Sequence, residues 1–490
     1  MAPASPYWRI TYSGTMADVA GALEADHSAV PAAMLEALSH PGGGLVTIVI
    51  GAGTSLENPT GLPLAGDCSE EAFRRLVADT ILDVASCASP RDLSAVADAV
   101  FDKTNGQGEL VRRLPVSRFR LASPNDGHLI AAALLREGAL ASVLSLNFDR
   151  AMESALVAVG AGDDIAVIRG PEDGAAFGSQ NLVYLHRTVD HLADEWILRT
   201  EALESAWSQA WEEAVAQRLL TTRVVAFAGL GSPAAVLTET IKKLRLMLGQ
   251  DVTVVQADPG VFGSSEFTAA LKVIEDFYVQ LGWCEFMRVL SDRAQLEQVE
   301  VLRRECAAVL RERDDSSPDC TDLLQQLTRL GLVSLGRLRA RWMLSPSPYE
   351  PAQRHSPRYM AQVLTALAFA EQEVHSEVHL CDDGVVEFWA GGELLGCWGI
   401  VCSAGRWRWG AVEARVEEYR SKWNSRRNPV RQVVVSGAAG VPRQNLTPPE
   451  SILGPVQDDH LVYSADRLVF LSLELLDSDG DAVRKALSHG

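Results

Sequence analysis

The stretch Leu45-Val-Thr-Ile-Val-Ile-Gly-Ala-Gly-Thr-Ser-Leu-Glu-Asn-Pro-Thr-Gly-Leu-Pro63 decides how the chain is read. Its run Leu45–Ile50 carries no charge, as expected of a parallel strand covered on both faces, and then breaks abruptly into small residues. Gly51 and Gly53 permit a sharp turn, and the backbone amides and helix N-terminus expected after it suit the close approach of a phosphate. The full G-x-G-x-x-G spacing is absent. An ordinary strand-turn-helix is therefore the competing reading, and other residues must carry any nucleotide assignment.

Those residues lie downstream, each at the end of another apolar run. Ala141-Ser-Val-Leu-Ser-Leu-Asn-Phe-Asp-Arg150 reads as a strand ending in Asn147 and Asp149, followed by a helix over 151–159. Polar groups at the C-terminal ends of parallel strands face the ligand crevice, although an Asp there is also a common helix cap. After a short strand over 165–168, Asn181-Leu-Val-Tyr-Leu-His-Arg187 ends at His186, which a purely structural role would also explain. Arg223-Val-Val-Ala-Phe-Ala-Gly-Leu-Gly-Ser-Pro233 repeats the strand-to-glycine break, and Asp251-Val-Thr-Val-Val-Gln-Ala-Asp258 is the last clear strand. Helices over 30–39, 201–220 and 235–248 alternate with these strands, which predicts one doubly wound parallel sheet. Helical spacing over 70–88, 92–102 and 125–137 predicts a helical insert over the crevice, or connecting helices with no direct role.

Composition narrows the class. A length of 490 residues allows two or three domains, and 22% charged with 47% hydrophobic residues describes an ordinary soluble protein. No apolar run approaches the roughly 18 residues of a membrane span, and the N-terminus lacks the basic-then-apolar order of a secretion signal. The eight scattered cysteines, without a C-x-x-C pair, suit reduced thiols, so a cytoplasmic location is expected. A net charge of −20 disfavours indiscriminate nucleic-acid binding by the whole surface.

Taken in order, Gly51-Ala-Gly-Thr-Ser55 with Gly61-Leu-Pro63, Leu146-Asn-Phe-Asp149, His186, Gly229-Leu-Gly-Ser232 and Gln256-Ala-Asp258 resemble the sirtuin superfamily over roughly residues 40–290. The pattern is more similar to the bacterial sirtuin-like NAD-cleaving effectors of antiphage defence than to deacetylases. A deacetylase carries a four-cysteine zinc module after its catalytic histidine, and residues 187–283 contain no cysteine, so no zinc is expected. The resemblance implies NAD as substrate, with Asn147 holding the ribose and a water, His186 as base and Asp149 fixing the site. It implies Gly51, Ala52, Gly53 and Ser55 at the pyrophosphate, Gly231 and Ser232 at phosphate or ribose, and Asp258 at the adenosine end. It further implies an oligomer acting in a defence complex, with an Argonaute-type protein, a DNA-translocating ATPase or a phage protein as partner. The family usually has His-Gly where this chain has His186-Arg187, and Arg187 would narrow the pocket, pair with phosphate or mark a degenerate site. A nucleotide-binding scaffold without turnover is thus the alternative function.

Beyond about residue 290 the pattern changes to charged amphipathic helices over 292–313 and 321–343, then to a Pro/Ser-rich linker at 345–351. Strands are expected over 378–389 with a turn at Asp382-Asp-Gly384, and over 394–402, 432–436 and 461–473, with a helix over 412–423 among them, which predicts an α+β domain. The expected division is a sirtuin-like domain over 1–290, a helical connector over 291–350 and a docking or sensing domain over 351–490. His375 and His379 suggest a metal only if a third ligand joins them, and Asp382, Asp383 and Glu387 suggest a nuclease but lack a following E-x-K. Residues 403–443 hold nine basic side chains against three acidic, interleaved with Trp407, Trp409 and Trp423. Such a stretch binds nucleic acid or an acidic partner, or else forms a solvated helix face over core tryptophans.

Overall fold

A computed structural model describes residues 30–38, 44–162, 164–199, 201, 211–230, 235–248, 251–312, 318–344, 357–403, 409–423, 431–438, 461–463, 468–476 and 479–488. Its first sheet has seven strands in the order β3-β4-β2-β1-β5-β6-β7, namely β1 (Val46–Ile50), β2 (Leu140–Ser145), β3 (Ala166–Ile168), β4 (Asn181–Tyr184), β5 (Val224–Ala228), β6 (Thr253–Ala257) and β7 (Tyr278–Val279). Every pairing in it is parallel. The short β7 follows the last strand that the pattern shows, because two residues offer no readable alternation.

All five residues of β1 and of β5 are buried, which is why both read as continuous apolar runs. Their side chains alternate between two cores. Val46, Ile48 and Ile50 join one with Val224, Ala226 and Ala228, whereas Val49, Val225 and Phe227 join the other. Helices α1 (Ala32–Leu38), α4 (Asp126–Arg136) and the start of α8 (Trp283–Glu312) cover the first face through residues such as Met34, Leu134 and Phe286. Helices α6 (Trp211–Leu219) and α7 (Ala235–Met247) cover the second through Val215, Leu219, Ile241 and Leu244. Between β1 and β2, α2 (Ala65–Ala78) and α3 (Leu93–Thr104) form the expected helical insert with a small core of their own, whereas its third expected helix, over 125–137, is α4 and packs on the sheet itself. The insert's first helix starts five residues before the expected Glu70 and ends at Ala78, where Thr80 adopts φ +59°. Helix α5 (Ala151–Ala158) follows the Asp149 turn.

The C-terminal third builds a second, mixed sheet: β9 (Glu377–Leu380), β10 (Val385–Ala390) and β11 (Glu393–Ser403) form an antiparallel meander, and β12 (Arg431–Ala438) and β14 (Leu468–Ser472) continue it in parallel. The single strand expected over 461–473 is instead β13 (Leu461–Tyr463) paired antiparallel with β14, and β8 (Met343–Leu344) pairs with β11. The helix expected over 321–343 breaks at Gly331, φ +82°, into α9 (Thr321–Leu330) and α10 (Leu332–Trp342). An 18-residue helix, α11 (Pro357–Val374), precedes β9, and α12 (Trp409–Trp423) links β11 to β12. The 30-residue α8 contributes Phe286 and Leu290 to a core of the first sheet and Leu302 and Val309 to the core of the C-terminal sheet, so the expected boundary at 290–291 falls inside one helix. The Pro/Ser-rich linker lies outside the described residues. Among the described residues no helix is long and apolar enough to cross a membrane.

Candidate active site

The chain runs from β1 to β2 on one side of the sheet and from β5 to β6 on the other, so the switch point lies between β1 and β5. Crevices outside the carboxyl ends of the strands at such a point are the usual ligand sites of open α/β sheets. Here the loops after β1 and β5 lock together. Gly51 N–H donates to the Ala228 carbonyl at 2.9 Å, and Gly53 N–H to the Gly229 carbonyl at 2.8 Å. A Cβ on Gly51 would stand 2.7 Å from the Gly229 oxygen, and one on Gly53 2.8 Å from the Gly229 Cα. The glycines are thus required by loop-to-loop packing, and the turn continues as a short 3-10 segment, Ala52–Ser55, with no α-helix until Ala65. Gly229 itself has φ +70°, and a Cβ on it would meet the Thr54 nitrogen at 2.5 Å. Gly229→Ala is expected to cost about 2 kcal/mol or more, read as a lowered urea midpoint at unchanged m.

A cavity of ≈ 100 Å³, open to solvent, lies against this edge of the sheet. Gly51, Ala52 and Ser55 line it from β1, Leu146 to Asp149 from β2 and His186 from β4. Its roof is apolar: Cys68 from α2, Leu93 from α3, and Leu114, Phe119, Ile197 and Leu198 from the connecting segments. Sequence reasoning missed these roof residues individually, since only the amphipathic faces of the insert hinted at them.

Asn147, 7% exposed, directs Nδ2 at the loop: the Gly51 carbonyl accepts at 3.1 Å, and Thr54 Oγ1 and Ser55 Oγ at 3.4 Å. Asp149 serves two partners. Its Oδ1 accepts from Ala151 N–H at 2.9 Å at the start of α5, and its Oδ2 accepts from Ser55 Oγ at 2.8 Å. Burial raises the Asp149 carboxyl above its ordinary range, opposed by those same hydrogen bonds. His186, 5% exposed, places Nε2 3.0 Å from Thr240 Oγ1 on α7, and the Leu146 main chain also hydrogen-bonds the ring. Burial, and then the charge of Arg187, push its pKa down to about 4. His128, fully buried on α4, is pushed by burial to about 3. Both imidazoles are therefore held neutral in the folded chain, whereas the unfolded chain binds protons near 6.5. Stability contributed by each is complete above pH 6.5 and falls as pH drops toward 4 and 3, by at most about 1.4 kcal/mol per pH unit per group. Urea unfolding at pH 7, 6 and 5 is expected to show this slope, halved in His128→Gln.

Other expected site residues lie apart. Gly53 sits behind the loop rather than on the cavity wall. Asp258, just past β6, uses Oδ1 to accept from Gly260 N–H at 2.7 Å and does not line the cavity. Gly231 and Ser232 lie outside the described residues. Arg187 does not line the cavity either: its guanidinium stands 5.1 Å from the Trp211 ring centroid, and its φ of +74° is one that favours glycine.

In the C-terminal sheet, His375 ends α11 with φ +49°, while His379 lies on β9, 3.7 Å from Glu377 and 6.1 Å from the Trp389 ring. Asp383 caps a turn through Val385 N–H, and Glu387 accepts from Trp389 Nε1 at 3.0 Å. No cluster of three metal-ligating side chains occurs among the described residues. Of the basic stretch, Arg406, Arg408, Arg426, Arg427, Arg443 and Trp407 lie outside the described residues. Trp423 is a core residue, 2% exposed and stacked on Tyr419, and Arg420 pairs with Glu417 at 3.6 Å.

No family model and no curated protein matches the chain. Several solved structures are similar to it. A Sir2 homologue in complex with NAD is 16% identical, the match covering 54% of this chain and 93% of that one at a TM-score of 0.34. A Sir2 complex with a p53 peptide and NAD+ is 16% identical, with 54% and 97% covered and a TM-score of 0.30. A structure described as addressing the mechanism and regulation of Sir2 enzymes is 13% identical, with 54% and 95% covered and a TM-score of 0.31.

Proposed function

We propose that the cavity binds NAD and hydrolyses its nicotinamide–ribose bond, releasing nicotinamide and ADP-ribose. The observation that carries this reading is the convergence of Asn147, Asp149, Ser55 and His186 on one cavity at the carboxyl edge of the sheet, beneath an apolar roof. In this reaction the C1′–N bond breaks with its electron pair passing to the cationic pyridinium, so nicotinamide leaves neutral and needs no acid. Water then adds to C1′ and loses one proton. The site has to orient ribose and water and to support an oxocarbenium-like sugar, tasks that suit fixed dipoles in a sheltered cavity. With its donor side directed at the loop, Asn147 has Oδ1 to accept from a ribose hydroxyl or the water. His186, held neutral, would accept from a ribose hydroxyl or the water in place of the Thr240 hydroxyl that lies 3.0 Å from its Nε2. Asp149 fixes Ser55 and the start of α5, and Gly51, Ala52 and Ser55 form the wall proposed to meet the pyrophosphate, with Gly53 behind it. Gly231, Ser232 and Asp258 keep their proposed places along the remainder of the dinucleotide.

In the cell, the proposed role is that of an antiphage effector switched on by a partner, since unrestrained NAD hydrolysis would harm the host. The test is incubation of the purified full chain with NAD, alone and with the products of neighbouring genes, followed by chromatography. Nicotinamide and ADP-ribose in equal amounts are expected. Calorimetric binding of NAD or ADP-ribose without product under every partner condition would instead establish the scaffold reading, which the hydrogen bonds already made by Asn147 and His186 within the protein favour.

A further inference from the structure

A second cleft, of ≈ 530 Å³, separates the two sheets' helical layers: α4 and α5 on one side, α10, α12 and the β9–β10 turn on the other. Its size falls within the usual range for small-molecule sites, but its wall is charged where most such sites are apolar. Five cations reach it, Arg136, Arg337, Arg341, Arg415 and Lys422, against four carboxylates, in a chain whose net charge is −20. Two of the five belong to the basic stretch, and they turn inward rather than to the open surface.

The cations are held in place by the main chain. Arg415 Nη1 donates to the Ala340 and Arg341 carbonyls at 2.9 and 2.7 Å, Lys422 Nζ to the Asp383 carbonyl at 2.7 Å, and Arg337 Nη2 to the Ala158 carbonyl at 3.1 Å. Arg341 and Arg415 share one carboxylate, Glu418. No carboxylate pairs with Arg337 among the described residues. Burial lowers the pKa of Arg415 and of Lys422, and for Lys422 the charge of Arg341 adds to the effect. Arg136 pairs with Asp164 at 3.3 Å, so the remaining cations crowd one side of the cleft, and a multivalent anion would relieve the repulsion among them.

We propose that this cleft binds a phosphate-bearing anion of nucleotide size, held by Arg337 and Arg341 of α10 together with Arg415 and Lys422 of α12. Guanidinium forks match phosphate oxygens in pairs, and four or five donors suit a di- or triphosphate better than a single carboxylate. The ligand would also bear on the first cavity. Arg136 lies at the cleft end of α4, and at the opposite end the cap residue Asn125 donates through Nδ2 to the Thr54 and Glu57 carbonyls of the loop after β1.

The test uses the full chain with pyrophosphate and tripolyphosphate, which carry no adenosine to direct them to the first cavity, in calorimetric titrations at fixed ionic strength. Saturable binding is expected, tighter for tripolyphosphate and weakened at least about tenfold in Arg337→Glu and in Lys422→Glu, the loss of one charge-assisted contact. Arg337→Gln and Lys422→Gln replace them should charge reversal lower the melting temperature. Absence of binding at millimolar concentration, or binding of equal strength in both variants, overturns the proposal whether or not the chain cleaves NAD.

Discussion

Replacing Asn147 with alanine is expected to lower NAD cleavage by about 100-fold or more, because one side chain both orients the reacting groups and braces the loop after β1. The bracing follows from the three Nδ2 contacts, to the Gly51 carbonyl, Thr54 Oγ1 and Ser55 Oγ. The orienting role follows from the proposed use of Oδ1. Asn147→Asp separates them, since it retains the acceptor oxygen but loses the donor and adds charge beside the Asp149 carboxyl. His186→Ala is expected to fall comparably, whereas His186→Gln, which can still accept from Thr240, keeps part of the rate. A neutral His186 also sets the pH profile. Its pKa of about 4 places the acid limb of kcat/KM near pH 4 instead of near 6.5. Cleavage that survives both alanine variants, at unchanged melting temperature, would remove these residues from the reaction.

The largest stability effect is expected at Arg339. This side chain on α10, 2% exposed, forms an ion pair through Nη1 with Glu137, 1% exposed at the end of α4, and reaches Gln298 Oε1 at 3.4 Å on α8. Burial pushes the Arg339 guanidinium down to about 10, and its Nε finds no acceptor among the described residues. Arg339→Met leaves the Glu137 carboxylate buried without its partner and is expected to cost about 3–5 kcal/mol, while Arg339→Met with Glu137→Leu is expected to come close to wild type or exceed it. Chemical denaturation of the three proteins measures the difference. Since this pair ties α4 to α10, the single variant should also loosen the contact between the two sheets, detectable as faster hydrogen exchange in α4 and α10.

The second cleft alters the meaning of the basic stretch at 403–443. Arg415 and Lys422 contribute to an internal wall and Trp423 to the core. Docking of a protein or nucleic acid by this stretch therefore remains a proposal for its other basic side chains, of which Arg420 and Arg431 are among the described residues.

Much of the first sheet was legible in the amino-acid sequence because its strands are buried on both faces. Uncharged, largely apolar runs such as Leu45–Ile50 and Val224–Ala228 have few alternatives to a central parallel strand, and the small or polar residues after them mark the carboxyl edge where Asn147, Asp149 and His186 stand. That these three share one cavity with Gly51, Ala52 and Ser55 depends on strand order, which local pattern does not encode. The role of the glycines was likewise decided by a long-range contact. Gly51 and Gly53 read as room for an anion, but the atom that forbids a side chain there is the backbone of Gly229, about 180 residues away along the chain. Periodicity foresaw amphipathic helices over 292–313 and 321–343, yet only the tertiary structure showed α8 as one helix serving two cores and a break at Gly331. Nor could spacing reveal the roof of the cavity, the buried Arg339–Glu137 pair or the cleft around Arg337. Each joins residues whose separation in sequence carries no signal, and each exists because packing brings distant helices close enough for short-range forces to act.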